Sequence, residues 1–128
     1  MNYEDLTLKD LFALKNLLNN NESNTSEKNL SEQMYGKKVM VRTYSAGVHF
    51  GTLKEKVGQQ AILTDSRRVH YWTKAASLYQ LAMEGSKDIG DCRIAMVVNE
   101  ILLDRVIEVI PMTKEAIKNL YGSREWKC

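Results

Sequence analysis

Cysteine is nearly absent: the 128 residues hold two, Cys92 and Cys128. Two thiols make no disulfide framework, so unpaired cysteines in a reducing compartment are expected. Long apolar runs are missing as well. None approaches the ~18 residues of a membrane-spanning helix, and no membrane partner is expected. The opening MNYEDLTLKD carries acids where a secretory signal carries bases ahead of an apolar stretch, which predicts a cytoplasmic protein. Histidine is equally scarce. His49 and His70 show no zinc-ligand spacing with each other or with the cysteines, so no metal is assigned.

Catalytic patterns are lacking too. Ala46-Gly47 and Gly51 fall short of a Walker or dinucleotide fingerprint. Cys92, in Gly90-Asp91-Cys92-Arg93, has no paired base in the sequence. The acids gather at helix starts and in loops, where they cap and solvate. No catalytic residue and no cofactor are assigned, and a non-enzymatic protein is expected.

What is present suffices for one folded domain. Apolar residues make up 44% and charged residues 27%, ordinary globular values that allow a core without staples. The net charge is only +2 but is unevenly spread. Residues 1–35 carry three Lys and six acids, a net −3. Residues 36–74 carry eight Lys or Arg and two acids, a net +6. Residues 75–128 carry seven bases and eight acids, a net −1. The middle third is where an anionic partner is expected; the alternative is a set of solvated strand edges.

Four segments are expected. Residues 1–21 form an N-terminal arm whose helix, Asp5 to Asn20, starts at a Thr7–Asp10 capping box with Leu6 and Leu11 as hydrophobic staple. Leu8, Leu11, Phe12, Leu14 and Leu18 make it amphipathic. Residues 22–35 are a polar linker, which lets the arm dock in cis or on a neighbouring subunit. Residues 36–122 form a β-rich core domain with a C-terminal helix, and residues 123–128 a mobile tail.

Within the core domain, Lys37–Tyr44 and Val48–Glu55 read as a hairpin closed by Ser45-Ala46-Gly47. That loop pairs Tyr44 with Val48, Arg42 with Phe50 and Met40 with Thr52 on one face. Thr43–His49, Val41–Gly51 and Val39–Leu53 fall on the other, the natural core face. Gly51 predicts a bend or bulge. The first face also carries apolar surface, so it is expected to be covered or used for contact. Val57-Gly58-Gln59 closes a second hairpin into Gln60–Thr64. Asp65-Ser66 reads as a turn, followed by a short extended piece, Arg67–Trp72. Ser77 caps a helix over Leu78–Glu84 that Gly85 ends. Arg93–Val98, Ile101–Leu103 and Val106–Ile110 are strands, and Pro111 closes the run. Thr113 caps a last helix through Tyr121, which Gly122 breaks. The fold class is α+β. A small, mostly antiparallel bent sheet or an SH3/Sm-like barrel of five to six strands is expected, with N-terminal, middle and C-terminal helices.

One constellation has chemical character. Arg42, Arg67 and Arg68 fall near Tyr44, Phe50, Tyr71 and Trp72, with His49 and His70 in the same stretch. Guanidinium forks suit phosphates and aromatic faces stack bases, a pattern for nucleic acid or a nucleotide. The same residue types dominate protein hot spots. A third reading puts Tyr71 and Trp72 in the core and pairs the arginines with acids.

The runs Val41-Arg42-Thr43-Tyr44-Ser45-Ala46-Gly47-Val48-His49-Phe50-Gly51-Thr52-Leu53 and Ser66-Arg67-Arg68-Val69-His70-Tyr71-Trp72 carry a likeness. It continues through Ala75-Ala76-Ser77-Leu78, Glu100-Ile101-Leu102-Leu103 and Val106-Ile107-Glu108-Val109-Ile110-Pro111, and Asn2 to Thr7 shares it. Over most of its length the chain resembles a family of short phage and prophage proteins of unknown function. The family pattern leads one to expect an aromatic residue at position 70, where this chain has His70. The resemblance implies a phage-derived gene acting in the bacterial host cytoplasm. The first functional expectation is a non-enzymatic protein that binds and inhibits a host protein or ribonucleoprotein, such as a bacterial immune complex. The alternative is a nucleic-acid or nucleotide-binding module using the Arg/aromatic face. A homo-oligomer, dimer or larger, is expected from the two-sided apolar hairpin and the tethered helix.

Overall fold

The run Lys38 to Thr43, buried at three consecutive apolar positions, builds the first strand of a bent sheet, β1 (Lys38–Thr43). The computed structural model describes residues 29–127, and the chain divides into two compact units, Met1–Leu30 and Ser31–Cys128. The expected N-terminal helix, the arm over 1–21, the linker up to residue 28 and Cys128 lie outside the described residues. A short 3-10 helix, Leu30–Met34, precedes β1. Then come β2 (Val48–Val57), β3 (Gln60–Tyr71), α1 (Leu78–Glu84), β4 (Arg93–Ile94), β5 (Val98–Leu103), β6 (Val106–Pro111) and α2 (Lys114–Tyr121).

The sheet runs β4-β3-β2-β1-β6, with β5 also paired to β3, and its ladders are all antiparallel. In a flat sheet four strand spacings, about 19 Å, would separate β5 from β6. Only Asp104 and Arg105 join them. Three Cα steps reach at most about 11 Å. The sheet must therefore bend strongly. Backbone bonds from Val106 N–H to Gln59 O (2.8 Å) and from Tyr44 N–H to Arg105 O (2.9 Å) tie the bend together. No ladder joins β5 to β6 among the described residues, so the bent sheet is the expected architecture that forms.

Both faces of the sheet bury apolar side chains. Val39, Val41, Leu53, Ala61, Leu63, Leu103 and Val106 cluster on one face, with Met34 and Tyr35 packed against them. On the other face Met40, Phe50 and Val69 meet Leu78, Leu81 and Ala82 of α1, Ile94, and Leu120 of α2. Each fully buried large side chain contributes about 1.5–3 kcal/mol relative to exposure. This is why the first hairpin is apolar on both sides.

The hairpin register differs from the expected one. Met40 pairs with Phe50, Arg42 with Val48, Val41 with His49 and Val39 with Gly51. The loop is longer than Ser45–Gly47 because Thr43 organises it. The Thr43 hydroxyl accepts from Ala46 N–H (2.8 Å) and donates to Gly47 O (2.9 Å), with Gly47 at φ 88°. The slip is two residues, so every side chain keeps its expected face.

Asp65-Ser66 is a bulge, not a turn. Phe50 pairs with Arg67 and Thr52 with Thr64, which leaves Asp65 and Ser66 opposite Gly51. Asp65 takes φ 49°. A Cβ on Gly51 would stand 2.8 Å from Thr64 O, so the bulge needs the bare glycine. β3 therefore runs on through Tyr71. The strand expected over Arg93–Val98 is also interrupted. β4 and β5 share one edge of β3, separated by Ala95–Val97, where the Ala95 carbonyl instead accepts from Arg67 Nε (2.7 Å).

Both described helices start and stop as their caps dictate. Ser77 Oγ accepts from Gln80 N–H (3.2 Å), and Gly85 ends α1 at φ 76°. Thr113 Oγ1 accepts from Ala116 N–H (3.1 Å) at the start of α2. Beyond α2, the segment expected as a tail lies along β4. Glu125 bridges Ile94 in parallel, and Trp126 N–H donates to Ile94 O (2.9 Å).

Candidate functional site

The bulge in β3 decides which of the basic residues reach solvent. Past it, Arg67 and Val69 turn under the helices, while Arg68 and His70 turn outward. Arg67 is only 2% exposed. Its Nε donates to Ala95 O, Nη2 to Ile94 O (3.3 Å), and Nη1 to Leu120 O (3.3 Å), Tyr121 O (3.2 Å) and Ser123 O (3.2 Å). It is thus a clamp on the carbonyls at the end of α2 and on the β4–β5 interruption. No phosphate can reach it.

Three more of the expected site residues serve the interior. Phe50 is fully buried and meets the edge of Tyr121, ring centroids 4.8 Å apart. The Arg42–Phe50 pair does not form, because the register places Val48 opposite Arg42. His49 is buried, its Nε2 3.0 Å from Ala46 O, and burial holds it below the usual histidine range. Trp72 folds back on the helical face of the sheet and donates Nε1–H to Ala75 O (3.3 Å).

Two others lie apart at the surface. Arg42 Nε donates to Glu108 Oε1 (2.9 Å), and Tyr79 OH to Glu108 Oε2 (2.6 Å). The Tyr79 and Arg42 bonds hold Glu108 below the usual carboxylate range. Tyr44 is 70% exposed under the Arg105 guanidinium, 5.5 Å from its ring. With Gln59, Val106 and Ile107 these two line a cleft of about 500 Å³.

What remains is brought together on one edge. His70 and Tyr71 of β3 join Arg93 of β4 and Trp126 of the following segment, while Arg68, two residues before His70, lays its guanidinium against Gly47 of the β1–β2 loop. The His70 and Trp126 rings lie 4.8 Å apart, tilted by 53°. The Arg93 guanidinium sits 5.5 Å from the Tyr71 ring and 5.8 Å from the Trp126 ring, so it bridges the two. Burial, then Arg68, holds His70 below the usual histidine range. Arg68, Arg93 and Arg124 make no salt bridge among the described residues, and Glu125 is paired with Lys127 (3.2 Å). Cys92, Arg124, Glu125, Trp126 and Lys127 line a small recess of about 240 Å³ beside the rings. Among the described residues no three His, Cys, Asp or Glu side chains group as metal ligands.

Arg93 and Trp126 were not legible as site residues. Arg93 reads as the start of a strand, and Trp126 sits in the polar Ser123-Arg124-Glu125-Trp126-Lys127. A lone tryptophan in so polar a segment is the one signal that marks it.

A family model described as Domain of unknown function (DUF6948) matches residues 36–120. The matched span takes in all six strands and most of α2, and stops before Trp126. No curated protein matches the chain. No helix of the described residues is long and apolar enough to cross a membrane.

Proposed function

The chain belongs to the family described as Domain of unknown function (DUF6948), and we propose that it is a non-catalytic binding domain. Its contact surface is the strip of Arg68, His70, Tyr71, Arg93 and Trp126. One observation carries this reading: a guanidinium held between two half-exposed rings, with an imidazole tilted against the second ring. Tyr, Trp and Arg are the side chains that dominate recognition surfaces, and here they are gathered and not needed for the core. The likeness to phage and prophage proteins supports a setting in the cytoplasm of a bacterial host. There the domain occupies a host macromolecule and inhibits it.

The test is capture from host lysate by the full chain and by Trp126→Ala and Arg93→Glu variants. Their thermal unfolding is compared to confirm an intact fold. The reading expects a partner retained by the unaltered chain and lost from both variants. A partner held equally by the variants contradicts it.

A further inference from the structure

Resting on that contact surface, we propose that its ligand is a single-stranded nucleic acid, with bases stacked on Trp126 and Tyr71 and phosphates met by Arg68 and Arg93. The argument begins with the spacing of rings and cations. Along the β3–β4 edge the order is Tyr71, Arg93, Trp126, His70, and beyond His70, towards β2, comes Arg68 with its guanidinium against Gly47. Each ring has a cation or an imidazole as neighbour. Tyr71 and Trp126 remain 45% and 49% exposed, so both keep surface open to a base. Stacking platforms flanked by positive charge are how single strands are held without reading sequence. A duplex keeps its bases stacked and inaccessible, so it offers these rings nothing.

Charge points the same way. Arg68, Arg93 and Arg124 have no carboxylate partner among the described residues, and the adjacent acid, Glu125, already pairs with Lys127. The recess beside Trp126 is lined by Arg124 and by the Glu125–Lys127 pair, so Arg124 is the cation it offers a phosphate next to a stacked base.

The experiment is fluorescence anisotropy of a labelled ten-nucleotide oligo(dT) titrated with the full chain, between 50 and 200 mM salt. Binding is expected to weaken with salt, with a logarithmic slope of about −2 if three phosphates are neutralised. Trp126→Ala is expected to bind roughly ten- to hundredfold more weakly. Trp126→Phe keeps a stacking face and retains most of the affinity, which separates ring loss from misfolding. Arg93→Ala lowers the slope by about 0.7. A duplex of the same length is expected not to compete. No binding at 50 mM salt, equal competition by the duplex, or unimpaired Trp126→Ala overturns the nucleic-acid inference. If the lysate partner is nevertheless lost from the strip variants, the contact surface stands and its ligand is a protein. If the partner survives in those variants, the surface itself is wrong.

Discussion

At the scale of single residues, the sharpest division is between neighbours Arg67 and Arg68. They are alike in sequence, yet one clamps five carbonyls and the other faces solvent. Removing this buried donor takes a bond from all five carbonyls, of which Ile94 O and Leu120 O keep a backbone N–H partner. Arg67→Met is therefore expected to cost about 3 kcal/mol or more, read from urea unfolding. Arg67→Lys recovers only part of it, since an ammonium lacks the fork that spans these carbonyls. Unfolding midpoints within error of the unaltered chain would refute the clamp. His49 makes a pH prediction. Its folded pKa is depressed by burial below the ordinary 6.5, so its contribution is present above that value and is lost as pH falls. Tyr121 does the converse. Burial pushes its phenol from 10.0 up to about 12, so its contribution is present below pH 10 and is lost as pH rises to about 12. Stability measured from pH 8 down to pH 5 should fall in the unaltered chain and fall less steeply in His49→Gln. Parallel acid limbs would assign the acid sensitivity elsewhere.

At the scale of elements, local chemistry was legible wherever it was self-contained. The Ser77 and Thr113 caps and the Gly85 stop need only their own few residues, and both helices lie where those residues put them. Ser77→Ala is expected to cost about 1 kcal/mol in unfolding free energy. Thr113→Ala should cost more, because that hydroxyl also donates to the Met83 carbonyl. The faces of the first hairpin were legible too, since a two-residue slip preserves them. What escaped was anything set by a partner strand. Thr43 lengthens the loop, and Gly51 turns a sequence that reads as a turn at Asp65-Ser66 into a bulge inside one long strand. Gly51→Ala would drive a Cβ against the Thr64 carbonyl. It is expected to destabilise by about 1–3 kcal/mol. A variant as stable as the parent in urea would mean the bulge tolerates a side chain.

At the scale of the whole second unit, the two-residue link at Asp104-Arg105 forces the sheet to bend, and the two helices cover the face that bending leaves open. The apolar character of both hairpin faces is thereby accounted for without a second subunit. The candidate surface is a product of this architecture. β3 supplies Arg68, His70 and Tyr71, which sequence reasoning singled out. β4 and the segment after α2 add Arg93 and Trp126, which it did not, because a parallel bridge between Ile94 and Glu125 is what brings them there. Phe50, His49 and Arg67 left the candidate set because burial claims them, and Trp72 because it packs, partly buried, on the helical face. The most direct test is a two-dimensional NMR map of the ¹⁵N-labelled full chain titrated with oligo(dT). The largest shifts are expected at Arg68–Tyr71, Cys92–Ile94 and Arg124–Trp126, and at the Trp126 indole N–H over that of Trp72. Shifts centred on the Tyr44, Arg105 and Ile107 cleft, or none at all, would contradict it.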